Sequence, residues 1–317
     1  MKRLTLLIGC FLALLWLLPQ AFAQQKAEPF VFAPQWTAQA QFAGYYVAKE
    51  KGFYAEEGLQ VVIEHASVSQ VTENRVLGEK SDAITMQLAQ AVGMIDQGVE
   101  VVNILQTSMN NGLIIVSRTG ETVLPTGSRI ATWRAGFDQI PLCMTSERHL
   151  EYEWVQSAGA VNLFVAGAVD GMLGMSYNEY YQLVQTGLLK MGDAVFRFRE
   201  HGYNIQEDGV YMLRSVYERD RDRAERFARA SRRGWEWAAE HPQETLEIVM
   251  DYVSRNHVAT NRVLQKLMLD EILALQLDPD SGVRSFTLRQ DMVASIVRML
   301  FENGMLSRKV NFEELLP

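Results

Sequence analysis

Short apolar runs and amphipathic segments alternate along the first hundred residues. Apolar runs of four or five residues predict strands, whereas apolar residues that recur every three or four positions predict helices. In chain order the predicted strands are 30–33, 59–63, 82–86 and 101–105, and the predicted helices are 39–51, 69–78 and 89–97. Strands that alternate with helices of this length are typical of a parallel α/β sheet.

The same alternation resumes after a strand predicted at 113–117. Further strands are predicted at 130–133, 163–165, 172–176 and 209–213, helices at 141–152 and before Gly171, and an almost wholly helical region from Glu218 onward that includes 260–275 and 288–301. This order predicts an α/β fold with two lobes, in which residues 29–112 and 214–317 form lobe 1 and residues 113–213 form lobe 2. The chain is expected to cross between the lobes near Asn110 and near Gly209. Clefts of this kind bind small ligands.

The first 23 residues have the three zones of a secretory signal peptide. Two basic residues precede an apolar run over 4–18, and Ala21 and Ala23 supply the small residues of a cleavage site. Because the run is shorter than the ~20 residues that span a bilayer, we expect export and cleavage after Ala23 rather than a permanent anchor. Cys10 lies too early in the apolar run for lipid attachment to be expected.

Charge and cysteine content narrow the class of protein. Loss of the signal peptide removes two basic residues and changes the formal net charge from −8 to −10. A chain this acidic is a poor binder of nucleic acid. The Arg- and Asp-rich segment 219–233 has the i,i+4 spacing of a solvated helix face. Cys143 is the one cysteine after the signal peptide, so no intramolecular disulfide is expected and a buried position is favoured.

Two segments resemble a known family of binding proteins. Residues 34–54, PQWTAQAQFAGYYVAKEKGFY, followed by Glu57-Gly58-Leu59, resemble the opening of the thiamine-pyrimidine-precursor (ThiY/SsuA-like) binding proteins. Residues 169–180, VDGMLGMSYNEY, resemble the lobe 2 segment that supplies ligand contacts in the pyrimidine-binding branch. The likeness extends over most of the chain after the signal peptide.

That resemblance implies a type II periplasmic-binding-protein fold and a role as the receptor of an ABC importer. The implied partners are a small-molecule ligand and an inner-membrane permease with its ATPase, and the implied location is the periplasm. We expect no cofactor and no metal, and we expect the protein to be a monomer. Related proteins bind sulfonates, nitrate or riboflavin precursors, so these ligands remain alternatives. A free sensor input that loads a receptor kinase is a further alternative.

Five residues of the first lobe and its crossing are candidates for ligand contact. Trp36 follows the first strand and offers a flat face for a ring to stack on, although a core position is also open. Gln41 would form a hydrogen bond with the polar edge of the ligand, or it would face solvent. Ser69 would bind an anion or cap a helix. Gln87 ends a strand at the cleft, and Asn110 would reach the ligand or serve only the hinge.

The second lobe contributes four more candidates. Trp133 would close on the ligand from the opposite side or lie in the core. Tyr177 and Glu179 are expected on one face of an extended segment, and Asn178 lies between them in the block that carries the resemblance. A carboxylate in a closed cleft suits a ligand that donates hydrogen bonds and repels sulfonate or nitrate. The alternative for Glu179 is an ion pair at the surface.

An enzymatic relative supplies the main rival hypothesis. Eukaryotic thiamine-pyrimidine synthases share the implied fold and use a histidine and a lysine that follow a Gly-Lys-x-Asp stretch. The segment 79–82, EKSD, resembles that stretch, and the two matching positions here are Met86 and Gln90. The cysteine cluster of that family is missing, and the five histidines lack metal-ligand spacing. We therefore expect no catalytic residues and a binding protein rather than an enzyme.

Overall fold

The computed structural model describes residues 28–66, 73–133, 137–157 and 160–317. The signal peptide expected over 1–23 and the candidate Ser69 lie outside the described residues. No helix in the described part of the chain is long and apolar enough to cross a lipid bilayer.

The strands of the described chain belong to two five-stranded sheets. In chain order they are β1 Phe30–Ala33, β2 Val61–Ile63, β3 Ala83–Gln87, β4 Val101–Gln106, β5 Leu113–Ser117, β6 Arg129–Thr132, β7 Glu153–Gln156, β8 Gly171–Met175, β9 Phe196–Arg197 and β10 Asp208–Leu213.

Twelve α-helices accompany the two sheets in the described part of the chain. The α-helices are α1 Ala43–Glu50, α2 Phe53–Glu56, α3 Glu73–Leu77, α4 Leu88–Asp96, α5 Gln139–Glu147, α6 Ala160–Val165, α7 Glu179–Thr186, α8 Arg214–Arg219, α9 Arg221–Glu240, α10 Pro242–Arg255, α11 Arg262–Leu275 and α12 Gln290–Glu302. Single 3-10 turns lie at Ala40–Phe42, Phe198–Glu200 and Phe312–Leu315.

The sheet orders confirm the α/β class and the presence of two α/β units. The first sheet has the order β2-β1-β3-β10-β4 and the second has the order β7-β6-β8-β5-β9. Neither sheet is fully parallel, which corrects the expectation of a parallel sheet. In the first sheet β10 runs antiparallel to β3 and β4, and in the second sheet β5 runs antiparallel to β8 and β9. The chain leaves the first sheet where β4 ends and re-enters it at the same end of the strands, as β10 between β3 and β4. The returning strand must therefore run in the opposite direction.

The position of β10 also corrects the boundary of lobe 2. The prediction placed residues 113–213 in lobe 2, but Asp208–Leu213 pairs within the first sheet. We therefore describe the crossings as 107–112 and 201–207. An apolar run shows that a strand is buried, whereas the backbone hydrogen bonds decide which sheet it joins.

In the second lobe one predicted strand is wrong, and strand β7 was not predicted. The apolar triplet 163–165 lies in helix α6, and the strand of that region is β7, Glu153–Gln156. Three apolar residues in a row show burial without showing a period. The strand β7 is at the edge of its sheet, and its two apolar residues lie between a glutamate and a glutamine, so it has no longer apolar run that would predict a strand.

A close helix crossing holds the first lobe together. Helix α9 packs across α1, and a Cβ at Gly234 would lie 2.0 Å from the carbonyl oxygen of Gly44. A Cβ at Gly44 would in turn lie 2.2 Å from the indole of Trp235. The missing side chains let the two backbones touch. Because α1 begins directly after the segment that follows β1, this crossing also fixes the position of that segment.

The predictions of a buried Cys143 and of a solvated Arg-rich helix face are both confirmed. Cys143 is a free, fully buried cysteine that packs against Met299 of α12. The Arg-rich face over 219–233 is at the surface, where Arg226 pairs with Asp222 at 2.8 Å and Arg229 pairs with Glu57 at 3.0 Å.

We expect Gly234→Ala to lower the free energy of unfolding by about 3 kcal/mol or more, because the new methyl group has no room beside Gly44. Urea unfolding followed by circular dichroism measures this change. Gly93→Ala in α4 is the matched control, since nothing lies within 4 Å of its Cβ position, and it should change stability by no more than about 1 kcal/mol. Wild-type stability in the Gly234 variant would contradict this close contact between α1 and α9.

Candidate functional site

Side-chain amides and carboxylates tie the two crossings together. Asn111 Nδ2 donates to the carbonyl oxygen of Tyr203 at 2.6 Å, and Asn204 Nδ2 donates to Asn110 Oδ1 at 2.8 Å. Asn110 Nδ2 also donates to the carbonyl oxygen of Leu277 at 2.8 Å. The crossings therefore form one hydrogen-bonded hinge, and the Asn110 amide is used within it.

A cavity lies between the two lobes at the carboxyl ends of their strands. About 380 Å³ of space within the cavity and at its open mouth is free of protein atoms. The first lobe lines it with Gln35, Trp36, Gln39, Gln41 and Gln87, and the second lobe lines it with Trp133, Phe137, Met175, Tyr177, Asn178 and Glu179.

The structure brings seven of the nine predicted site residues to this one cavity. They are Trp36, Gln41, Gln87, Trp133, Tyr177, Asn178 and Glu179. Asn110 does not line the cavity among the described contacts, and Ser69 lies outside the described residues. Four lining residues were missed by the sequence reasoning, namely Gln35, Gln39, Phe137 and Met175.

Aromatic side chains face each other across the cavity. The rings of Trp36 and Phe137 have centroids 6.3 Å apart at 85°, and Trp133 and Phe137 have centroids 6.2 Å apart at 64°. Phe137 thus joins the indole of the first lobe to the indole of the second. It lies four residues after Trp133, so the signal for it was present in the same linking segment.

A buried histidine, His65, lies behind the residues of the first lobe that line the cavity. His65 Nδ1 lies 2.8 Å from the carbonyl oxygen of Trp36, and His65 Nε2 lies 2.8 Å from the hydroxyl of Tyr46, which accepts from the Gln39 backbone N–H at 3.3 Å. Burial lowers the pKa of His65 to about 4, so the ring is neutral near pH 7. The neutral tautomer that donates from Nδ1 and accepts at Nε2 satisfies every one of these contacts.

Glu179 is the first residue of helix α7 rather than part of an extended segment. The expected i,i+2 arrangement with Tyr177 is therefore wrong, although both side chains are buried and line the cavity. Glu179 Oε2 accepts from the Met175 backbone N–H at 2.8 Å, and Oε1 accepts from Asn178 Nδ2 at 2.9 Å. A surface ion pair is also excluded, since Glu179 is only 6% exposed.

The Glu179 carboxylate holds its own side of the cavity in place. Besides its other donors it interacts with the indole of Trp133. Its approach requires Gly174, where a Cβ would lie 2.8 Å from the Cβ of Glu179. Burial raises the pKa of Glu179 to about 7, despite the hydrogen bonds that favour its ionised form. The carboxylate predicted to meet the ligand is therefore already bonded to protein groups.

Two further buried carboxylates lie behind the cavity, at the second crossing. Glu207 Oε2 accepts from the Gly112 backbone N–H at 2.7 Å, and Asp208 accepts from the side-chain amides of Gln35 and Gln41. Burial raises the pKa of both groups, and their mutual repulsion opposes ionisation of the pair. The sequence reasoning missed both, although an acidic pair directly before the predicted returning strand was a signal for them.

The charge around the cavity is acidic. None of the described lining residues is lysine or arginine, and Glu179 is the one carboxylic acid among them. The hydroxyl of Tyr177 faces Glu207, and the pKa of Tyr177 is raised well above its usual value by burial and by the neighbouring carboxylates. Such a wall favours neutral or cationic ligands that donate hydrogen bonds.

We expect the free energy of unfolding to fall by about 2 kcal/mol between pH 6.5 and pH 8.5. Burial raises the pKa of Glu179 to about 7 and that of Glu207 to about 8, so at pH 6.5 both groups are still largely protonated in the folded state, whereas in the unfolded chain they are already ionised. Raising the pH forces them to ionise in the folded state, which removes stability. His65 changes this only slightly, because it is neutral in the folded state throughout this range, and its partial protonation in the unfolded chain at pH 6.5 adds an opposite change of less than about 0.5 kcal/mol. Urea unfolding at several pH values measures the slope.

Glu207→Gln should flatten that pH slope, because it removes one of the buried acids. Glu313→Gln, at an exposed position, is the matched control and should leave the slope unchanged. A Glu207→Gln slope equal to that of the wild type would show that this carboxyl ionises equally easily in both states.

Solved structures with this fold include several binding proteins. The aliphatic sulphonate-binding protein SsuA from Escherichia coli is 11% identical, with 91% of this chain and 92% of that chain covered and a TM-score of 0.65. The nitrate-binding protein NrtA from Synechocystis PCC 6803 is 16% identical, with 91% and 87% covered and a TM-score of 0.60.

A Candida albicans gene product, CA3427, described as having the generic periplasmic binding protein fold, is 14% identical, with 91% and 96% covered and a TM-score of 0.64. These likenesses confirm the expected periplasmic-binding-protein fold. Among curated proteins no significant match is found. The profile of the NMT1/THI5-like family matches residues 39–245, more than half of the chain, and the chain therefore belongs to this family.

Proposed function

We propose that this chain is the extracytoplasmic solute-binding protein of an ABC importer and binds a pyrimidine-type thiamine precursor between its lobes. The ligand would be a hydroxymethyl- or formylamino-pyrimidine. The observation that carries the proposal is the cavity itself, which has indole rings from both lobes and buried carboxylates around it. Membership of the NMT1/THI5-like family and a fold shared with binding components of import systems support it.

Ring stacking would supply most of the binding energy. Trp36 belongs to the first lobe, whereas Trp133 and Phe137 belong to the second, so a flat heteroaromatic ring can contact both lobes at once. A ligand that binds both lobes favours the closed form over the open one. That closed form would dock on the permease, and a separate ATPase would drive transport.

An anionic ligand such as an alkylsulfonate or nitrate is the second candidate, favoured by the resemblance to SsuA and NrtA. It would need a cation in the cavity to offset its desolvation. None of the described lining residues supplies one, and Arg134, which follows Trp133 in the chain, lies outside the described residues. A riboflavin precursor remains a further alternative ligand, and a free sensor input for a receptor kinase remains an alternative role.

The enzymatic alternative finds no support in the two positions that match the synthases. Met86 is fully buried in β3, and Gln90 accepts from the Gln87 backbone N–H at the start of α4. Neither side chain lines the cavity, and neither provides the imidazole or amine that the synthases use. A binding protein without catalytic residues therefore accounts better for this site.

The proposal includes location and assembly. The chain would reach the periplasm through the signal peptide over 1–23, with cleavage after Ala23, and would act there as a monomer without a cofactor. N-terminal sequencing of the periplasmic protein tests the cleavage site, and a mature chain that begins elsewhere than Gln24 would contradict it.

Isothermal titration calorimetry with 4-amino-5-hydroxymethyl-2-methylpyrimidine, its formylamino counterpart, taurine and nitrate tests the ligand. We expect heat with a pyrimidine, and we expect Trp36→Ala to weaken its binding by about 10–100-fold, since loss of one stacking ring costs about 1–3 kcal/mol. Trp237→Ala is the matched control, because this indole stacks on His241 away from the cavity, and it should bind like the wild type.

Tight binding of taurine or nitrate with no heat from either pyrimidine would reject the pyrimidine. In that case Arg134→Ala tests whether this arginine supplies the cation that an anionic ligand needs. Loss of anion binding in the variant would show that it does.

A further inference from the structure

Three glutamines that line the cavity share one hydrogen-bond network. Gln35, Gln39 and Gln41 follow β1 in the sequence and are each no more than 7% exposed. Asp208, at the start of β10, lies behind them and is also buried. We call these three side chains the glutamine wall.

The network starts at the Asp208 carboxylate. Gln35 Nε2 donates to Oδ1 at 2.8 Å, and Gln41 Nε2 donates to Oδ2 at 2.6 Å. Gln39 Nε2 then donates to Gln41 Oε1 at 2.6 Å. The three amides are therefore connected in series to one carboxylate.

The charge of Asp208 dictates the direction of every amide. An ionised carboxylate can only accept hydrogen bonds, so Gln35 and Gln41 must turn their NH₂ groups toward it. The oxygen of Gln41 is then turned toward Gln39, which must answer with its own NH₂ group. These orientations follow from chemistry, independently of how amide nitrogen and oxygen atoms are distinguished.

One consequence is an acceptor without a partner. Gln35 Oε1 is buried and has no hydrogen-bond partner among the described residues, and Gln35 lines the cavity. The same orientation commits one N–H of Gln39 to Gln41 and turns its oxygen away from Gln41, where it can accept from a ligand. A buried acceptor without a donor destabilises the unliganded site, and a ligand that brings N–H or O–H groups relieves this.

We propose that Asp208 is a positioning residue that sets the polarity of the glutamine wall, so that the wall presents carbonyl oxygens and selects ligands that donate hydrogen bonds to it. The inference rests on the proposed function only in requiring that the cavity bind a small molecule. It extends that function by naming the chemical feature that the first lobe recognises, whichever ring the ligand carries.

The proposal predicts that protonation of Asp208 abolishes the selection. A protonated carboxyl donates through its O–H, so one amide can turn and present NH₂ to the cavity. The titratable groups facing Asp208 are Glu207 beside it, Tyr177 from the second lobe, Tyr45 from α1 and Tyr211 on β10. Burial keeps the three phenols protonated at neutral pH. Only the two carboxyl groups therefore change charge here, and burial raises the pKa of Asp208 to about 6.

The orientation of the wall is testable in the ligand-free protein. Side-chain amide ¹H–¹⁵N spectra of glutamine-labelled protein from pH 4.5 to 8, assigned with Gln35→Leu and Gln41→Leu, report the charge of the group that each amide contacts. We expect the two amide proton resonances of Gln35 and the two of Gln41 to shift with one common midpoint near pH 6. We expect Asp208→Asn to remove that titration.

Glu207→Gln is the control for this measurement. It keeps Asp208, and because Glu207 still holds its proton where Asp208 titrates, the amide titration should persist with its midpoint near pH 6. Amide resonances that do not titrate in the wild type, or that still titrate in Asp208→Asn, would overturn the proposed orientation.

Selection is tested with a pair of probes that differ in one group. At pH 7.5 the wild type should bind 4-amino-5-hydroxymethyl-2-methylpyrimidine at least 10-fold more tightly than its 4-methoxy analogue, which cannot donate from that position. Asp208→Asn should reduce this preference to less than about 3-fold, because the asparagine amide no longer dictates the glutamine orientations. Lowering the pH to 5 should reduce the preference of the wild type but not that of Asp208→Asn.

Equal binding of both probes by the wild type would overturn the selection. Binding of neither probe would instead reject the pyrimidine ligand of the proposed function, and the ligand-free spectra would then decide the role of Asp208 alone.

Discussion

The hydrogen bonds between the Asp208 carboxylate and the amides of Gln35 and Gln41 are the contact on which the site depends. They join β10, which has just returned from the second lobe, to the segment that follows β1. A buried carboxylate is costly unless donors surround it, so the strand and the segment are held in one relative position. Trp36 lies between the two glutamines and is positioned with them.

The second lobe repeats this arrangement with different residues. Glu179 accepts from the Met175 backbone and from Asn178 while it contacts the indole of Trp133. Each lobe therefore uses a buried carboxylate to orient the polar and aromatic groups of its own wall. Walls that are ordered before the ligand arrives lose less entropy when it binds, and Phe137 shows that the two walls already touch.

The hinge and the cavity share an acidic pair. Glu207 accepts from the backbone of Gly112 in the first crossing and faces Tyr177 at the cavity, while its neighbour Asp208 orients the glutamines. Adjacent buried charges repel each other, so the ionisation of one depends on the other. The charge state of two consecutive residues thus affects the crossing, the ring of Tyr177 and the polarity of the opposite wall together.

The sequence by itself determined the two α/β units, most of the strands and seven residues of the cavity, because strand and helix periods are local and ligand-contacting residues follow strand ends. Tertiary structure alone decided that β10 enters the first sheet antiparallel and that 163–165 is helical. It also decided that Glu179 begins helix α7 and that its carboxylate accepts from the backbone N–H of Met175. It also decided the role of Asp208, whose glutamine partners lie 167 and 173 positions away. Periodicity describes which way a side chain faces along its own element, whereas hydrogen-bond partners so distant in sequence are set only when the sheets assemble.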